Sequence, residues 1–173
     1  DLDRFKRIND TISREAGDQI LQVIAERIKS LLRPVDLLSR LSADEFVVLL
    51  DEQQDLQYVG IFTQRILDAI SEPCNIHDQL FHITASAGIS LYPTDARTGI
   101  ALLKHADIAM FRAKEVGKNS YQYFNERMNS HLTEKLKLET SLREALTRDE
   151  FEVYFQPVIE QVSGRISGME ALV

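Results

Sequence analysis

The sequence predicts an α+β fold, with helices packed on a central, mostly antiparallel sheet. Three observations predict it. Segments with apolar residues at three- and four-residue steps alternate with runs of period two. Two reversals, near Ser42-Ala43 and at Asp78-Gln79, join β-like runs into hairpins. Pro34, Pro73 and Gly117 stand where the helical pattern stops. Mixing helices with hairpins in this way favours helices laid on a sheet.

The elements follow in order. Residues 1–10 read as the exit of a strand into a short helical turn. A long helix begins near Gly17, with Ile20, Leu21, Ile24, Ala25, Ile28, Leu31 and Leu32 on one apolar face, and Pro34 ends it. Val35 to Leu41 and Phe46 to Leu50 form the first hairpin. Asp55 to Ser71 is helical, with Val59, Phe62, Ile66, Leu67 and Ile70 on one side. Cys74–His77 and Leu80–Tyr92 form the second hairpin, its long arm alternating Phe81, Ile83, Ala85, Ala87, Ile89 and Leu91 with polar or small residues. Thr98 to Val116 is a third helix, and Ser120 to Phe124 is a short strand. Residues 126–148 form a charged helix with Met128, Leu132, Leu136, Leu142 and Leu146 on one face, which fits either a connector or a helix docked on a core. Two more strands, 151–157 and 165–172, flank the turn Ser163-Gly164. The strand that should precede Asp1 is expected to lie outside this chain, since a three-residue stub cannot fill a sheet.

The chain of 173 residues suffices for one domain with a real core and part of another. A net charge of −7 argues against a non-specific grip on nucleic acid, so a nucleotide would need local cations or a metal. The one cysteine, Cys74, excludes an internal disulfide and fits a reducing compartment. No apolar run reaches the roughly 18 residues of a membrane span, and the N-terminus does not read as a signal peptide. The abrupt ends suggest a fragment.

Chemistry concentrates at Arg40-Leu41-Ser42-Ala43-Asp44-Glu45-Phe46. Adjacent carboxylates at a hairpin tip make a cation or metal–phosphate site, although a solvated turn has the same composition. Other pieces surround it: Asp1-x-Asp3-x-Phe5-Lys6-x-x-Asn9-Asp10, Gly17-Asp18, Ala85-Ser86-Ala87-Gly88-Ile89, Tyr92-Pro93, and Ala106-Asp107 through Ala113-Lys114 to Gly117-Lys118-Asn119.

In order and spacing these pieces resemble the GGDEF family of diguanylate cyclases, over Asp1 to Phe124. Tyr154-Phe155-Gln156-Pro157 and Glu170-Ala171-Leu172 resemble the opening of an EAL phosphodiesterase domain. The resemblance implies a nucleotidyl-cyclase and polymerase-palm-like fold and three parts. Residues 1–125 would be a GGDEF domain without its N-terminal helix and most of its first strand, 126–148 a linker helix, and 149–173 the N-terminal fragment of an EAL domain. The family condenses two GTP into cyclic di-GMP, with two subunits face to face, so GTP, cyclic di-GMP and a second copy are the implied partners.

By the same match Asp44 and Glu45 are the catalytic acids, and Asp1, the Leu2 carbonyl, Asp44 and Glu45 hold Mg2+, or Mn2+ in its place. Asn9 and Asp18 occupy guanine-contact positions; a helix cap is the other reading of either. Lys6, Lys114 and Lys118 occupy triphosphate positions, Lys118 where the family has arginine; near a helix end they would otherwise only favour its dipole. Arg33 and Asp36 match the RxxD inhibitory motif that grips cyclic di-GMP, or form a local ion pair. Glu170 matches a metal ligand of the phosphodiesterase, whose other ligands and base would lie beyond Val173. The implied setting is the bacterial cytoplasm, as the cytoplasmic part of a larger signalling protein, either free or bound to the membrane.

Two departures shape the functional expectation. The motif reads Ser-Ala-Asp-Glu-Phe rather than Gly-Gly-Asp-Glu-Phe, and alanine would cost ~1 kcal/mol or more if φ were positive there. The family's Gly-His pair is replaced by Ser13 and Arg14. The expectation is therefore a degenerate module of a GGDEF–EAL protein. It binds GTP or cyclic di-GMP, cyclises weakly or not at all, and regulates the attached phosphodiesterase. The alternatives are a working cyclase and an inert dimerisation domain.

Overall fold

The computed structural model describes residues 1–51, 56–76 and 78–173, the side chains at 56, 130–133, 135 and 136 excepted. Two units are compact by themselves, Asp1–Asn129 and Ser130–Val173.

In the first unit, helix α1 spans Phe5–Thr11 and α2 spans Arg14–Leu31. Ser13 caps α2, its hydroxyl accepting from the Ala16 N–H at 3.1 Å, so one residue of the Ser13-Arg14 departure has a structural task. Such a cap contributes about 1 kcal/mol. Hairpin strands β1 (Leu37–Arg40) and β2 (Phe46–Leu49) pair in register from Leu37↔Leu49 to Arg40↔Phe46. Helix α3 covers Leu56–Ser71; the expected start at Asp55 lies outside the described residues. Strands β3 (Cys74–Ile76) and β4 (Gln79–Phe81) form the second hairpin, and the expected end at His77 also lies outside them.

The single long strand expected over Leu80–Tyr92 is broken. After β4 the chain makes only a bridge at Ala85 and then strand β5, Ala87–Ile89. Helix α4 (Gly99–Val116) is capped by Thr98, whose hydroxyl accepts from Ala101 N, and stops at Gly117 with φ 148°. Strand β6 (Tyr121–Tyr123) runs parallel to β5, from Ala87↔Tyr121 to Ile89↔Tyr123.

The expected central sheet is present only as short pieces, each two-stranded. The stub that seemed too short to matter links them. The Asp3 N–H donates to Thr84 O at 2.8 Å, Ser86 N–H to Asp1 O at 2.9 Å, and Leu2 N–H to Asp44 O at 3.1 Å. Residues 1–3 thus stand between the first hairpin and the β5 segment, bonded to both. Leu2 and Phe5 are buried with Ile20, Leu21, Ile24 and Ile28 of α2, Leu67 and Ile70 of α3, and Ile83 and Ala85. This apolar cluster fixes the stub.

Helix α5 spans Glu126–Thr147. On its expected apolar face Leu142 and Leu146 are exposed, Met128 is half-buried, and the side chains of Leu132 and Leu136 lie outside the described residues. In the second unit, β7 (Tyr154–Ile159) and β8 (Ile166–Leu172) make an antiparallel hairpin with every residue exposed and a register shift at Val158/Ile159. Among the described residues, no helix is long and apolar enough to cross a membrane.

Candidate nucleotide and metal site

The site begins with the stub. Leu2 is buried in the core, so its neighbours Asp1 and Asp3 are held rigidly on the opposite face. Asp1 meets Lys114, which α4 brings across to it, with Nζ 2.5 Å from Oδ1. That Oδ1 is buried and makes no hydrogen bond, so Lys114 is held by charge without donor alignment. Lys114, Asp3, Glu45 and Asp44 all lie near enough to the Asp1 nitrogen to act on it electrostatically. Their charges therefore converge on one corner.

The hairpin tip is tightly determined. Leu41 N–H donates to Glu45 O at 3.0 Å. Arg40 Nε donates to Ser42 O and Nη2 to Ala43 O, both at 3.0 Å. Neither Ser42 nor Ala43 has positive φ, so the turn carries none of the left-handed strain that losing two glycines would suggest. The ~1 kcal/mol penalty anticipated for Ala43 does not arise.

Asp107 of α4, which the sequence marked only as part of a motif, faces this corner too. Burial first, then the charge of Glu45, push its carboxyl above the usual carboxylate range. Asp3 also had no assigned role. Its carboxylate accepts from Thr84 Oγ1 at 2.7 Å, from the fully buried Ser86 Oγ at 2.8 Å, and from Asn119 N–H at 3.1 Å. It ties the turn bearing Lys118 to the stub. The available signal was the Asp1-x-Asp3 spacing, which puts two acids on one face of an extended segment.

The other expected residues are placed as follows. Lys6 is exposed on α1. Asn9 packs on Gly17, where a Cβ would lie 1.9 Å from Asn9 Oδ1, and that oxygen is buried with no hydrogen-bond partner. Asp18 lines a cavity of about 540 Å³ with Leu21, Gln22, Arg40 and Phe46. Lys118, with φ 65°, lines a different cavity of about 480 Å³ with Arg4, Arg7 and His82. The structure therefore brings Lys114 onto Asp1, bonds Leu2 N–H to the backbone of Asp44, and sets Asn9 beside the residue preceding Asp18. It does not put Lys118 in the Asp18 cavity.

Arg33 and Asp36 form the local pair. Arg33 Nη2 donates to Asp36 Oδ1 at 2.9 Å and Nε to Oδ2 at 3.2 Å. The backbone N–H groups of Arg33 and Asp51 add bonds to the same carboxylate, at 2.9 and 3.3 Å. The arginine hydrogen bond is the largest cause holding Asp36 below the usual carboxylate range. In the second unit, Glu170 is exposed and directly opposite Gln156 across the hairpin.

Among the described residues, no three His, Cys, Asp or Glu side chains are grouped closely enough to hold a metal by themselves. The donor chemistry nevertheless fits Mg2+, which takes oxygen ligands, keeps waters, and shares substrate phosphates rather than filling an all-protein cage. Asp1 offers a buried oxygen whose present partner is the Lys114 ammonium. None of the backbone bonds that fix the stub uses the Leu2 carbonyl.

Comparison with known proteins gives the family and the fold. A sequence profile described as "Diguanylate cyclase, GGDEF domain" matches residues 1–120. The chain is 40% identical over 173 residues to cyclic di-GMP phosphodiesterase NbdA of Pseudomonas aeruginosa, covering all of this chain and 22% of NbdA. It is 38% identical over 172 residues to the bifunctional diguanylate cyclase/cyclic di-GMP phosphodiesterase MucR of the same organism, covering 99% of this chain and 25% of MucR. Among solved structures, a GGDEF-only form of TpbB (YfiN) from P. aeruginosa superposes with TM-score 0.73 at 36% identity, over 77% of this chain and 78% of that one. The chain thus spans about a quarter of the length of the curated relatives it matches.

Proposed function

Because the chain belongs to the GGDEF-domain family of diguanylate cyclases, we propose that it binds GTP with Mg2+ as a regulatory module of a cyclic di-GMP signalling protein, with weak or absent cyclisation. The observation that carries this reading is the corner itself. Lys114 pairs with Asp1, and Leu2 N–H to Asp44 O locks the segment bearing Asp1 to the hairpin tip bearing Asp44 and Glu45.

Asp1, the Leu2 carbonyl, Asp44 and Glu45 would hold Mg2+, which when bound neutralises phosphate charge. Lys114 would exchange Asp1 for the triphosphate. Lys6 is exposed and free to swing onto it, whereas Lys118 would have to turn out of its own cavity. Asn9 and Asp18 would read the guanine edge, the amide through its unpaired acceptor. Weak turnover follows from the Ala43 methyl, which stands where the family presents bare backbone to the nucleotide. Arg33 and Asp36 would accept cyclic di-GMP only if the ligand opened their mutual bonds.

The second reading, an active cyclase, is favoured by the unstrained turn at Ser42-Ala43. A face-to-face homodimer belongs to that reading. In the regulatory reading α5 carries the nucleotide signal to an attached phosphodiesterase, with Glu170 among its metal ligands, in the bacterial cytoplasm where GTP is available.

Titrating the chain with GTP and Mg2+ in a calorimeter tests binding, and heats no larger than dilution would end the proposal. Incubation with GTP followed by chromatography separates the two readings, because sustained cyclic di-GMP formation favours the active cyclase.

A further inference from the structure

We propose that Arg40 is a positioning residue that clamps the hairpin tip and so fixes Asp44 and Glu45 against Asp1. The inference rests on the nucleotide–metal reading for its consequence, but its structural part stands alone. Four successive carbonyls around the tip each accept one bond. Ser42 O and Ala43 O take Arg40 Nε and Nη2, Asp44 O takes Leu2 N–H, and Glu45 O takes Leu41 N–H.

The regular ladder ends at Arg40↔Phe46, so no strand partner remains for the carbonyls at 42 and 43. Arg40 supplies both bonds from one guanidinium. Its donors diverge from a planar fork at fixed geometry, which an ammonium on a flexible stem cannot reproduce. With the backbone at 42 and 43 held, the next carbonyl is aimed at Leu2, and the two acids follow. Arg40 also lines the cavity that contains Asp18 and Phe46, so the clamp lies between the base pocket and the acids. Serine and alanine, less free than glycine, suit a tip held in one conformation.

The test uses Arg40→Ala and Arg40→Lys in the whole chain. Without ligand, amide hydrogen exchange at Leu2 and Leu41 should quicken about tenfold in Arg40→Ala, as expected for losing charge-assisted bonds. Exchange at Ile24 in the core should stay unchanged, and Arg40→Lys should recover only part of the protection. With GTP present, the Mg2+ concentration needed for half-maximal binding should rise about tenfold. Affinity at saturating Mg2+ should return close to that of the parent, a pattern that general loosening would not give.

Parent-like exchange at Leu2 and Leu41 overturns the clamp. So does a loss of GTP affinity at every Mg2+ concentration, which would mean that Arg40 acts on the base. If the parent chain bound no GTP, the functional reading would fall and the amide rates alone would decide the clamp.

Discussion

The two outer hairpins of this chain follow one local recipe and reach opposite ends. Strands β1–β2 and β7–β8 are both antiparallel, and both turns contain a serine followed by a small residue, Ser42-Ala43 and Ser163-Gly164. At the tip of the first, every carbonyl from 42 to 45 is engaged, two by Arg40, one by Leu41 and one by the distant Leu2. At the second, the turn is closed only by its own neighbours, Glu160 with Arg165 and Gly164, and Ser163 with Glu160. A hairpin becomes a site when a distant segment fixes where its tip points. Acidic residues on a hairpin do not suffice, as exposed Glu170 opposite Gln156 illustrates.

The widest expected gap between the regions concerns glycine. A Cβ on Gly88 in β5 would lie 1.9 Å from Ala106 O and 2.3 Å from Met110 N, both backbone atoms of α4. Gly168 in β8 has nothing within 4 Å. Gly88→Ala should therefore cost about 3 kcal/mol or more in urea unfolding, and Gly168→Ala less than about 0.5 kcal/mol. Equal costs would erase the contrast.

The next contrast is functional. Asp1→Asn or Asp44→Asn should weaken GTP binding in Mg2+ about 10- to 100-fold by calorimetry. Glu170→Gln should leave it unchanged. A Glu170 effect as large as that of Asp44 would place the nucleotide site elsewhere.

A smaller effect is set by pH. The Arg33 hydrogen bond holds Asp36 below its unfolded value of about 3.9. Its stabilising contribution is therefore complete above about pH 4 and is lost as pH falls through the folded value. Melting temperatures followed downward from pH 7 should show an acid decline that Asp36→Asn flattens, starting from lower stability at neutral pH. Asp107 works the other way. Burial and Glu45 raise its pKa, so its contribution is present at low pH and lost as pH rises through the folded value.

The smallest expected effect sharpens the hairpin comparison most. With no positive φ at Ala43, Ala43→Gly gains no strain relief and should lose about 0.5–1 kcal/mol through backbone entropy. If the methyl is what limits turnover, the same variant makes more cyclic di-GMP. Reduced stability together with a higher rate would show that the departure from glycine protects the turn at the expense of chemistry.

Much of this was legible in the sequence. Thr98 and Gly117 bracketed α4 because capping is a local property of residue type. Pro34 and Pro73 followed the ends of α2 and α3 for a similar reason. Period-two alternation from Phe81 to Leu91 gave the burial of Ile83 and Ala85, but not that of Ser86 on the other face, nor the break around residues 82–86. Alternation reports which side of a strand is covered, while continuity depends on whether a partner runs alongside. Here the bridge between Leu2 and Ala85 is isolated.

The sequence by itself determined the helices, the turns, the apolar faces of α2 and α3 and the family, because periodicity, capping and motif spacing are written in neighbouring residues. Only the tertiary structure decided that Lys114 sits on Asp1, that Asp3 anchors the turn at Asn119, and that Arg40 holds the Ser42-Ala43 tip. Ion pairs and hydrogen bonds act over about 3 Å in space, whatever the distance along the chain. The buried Leu2 supplies that proximity by seating the stub in the core.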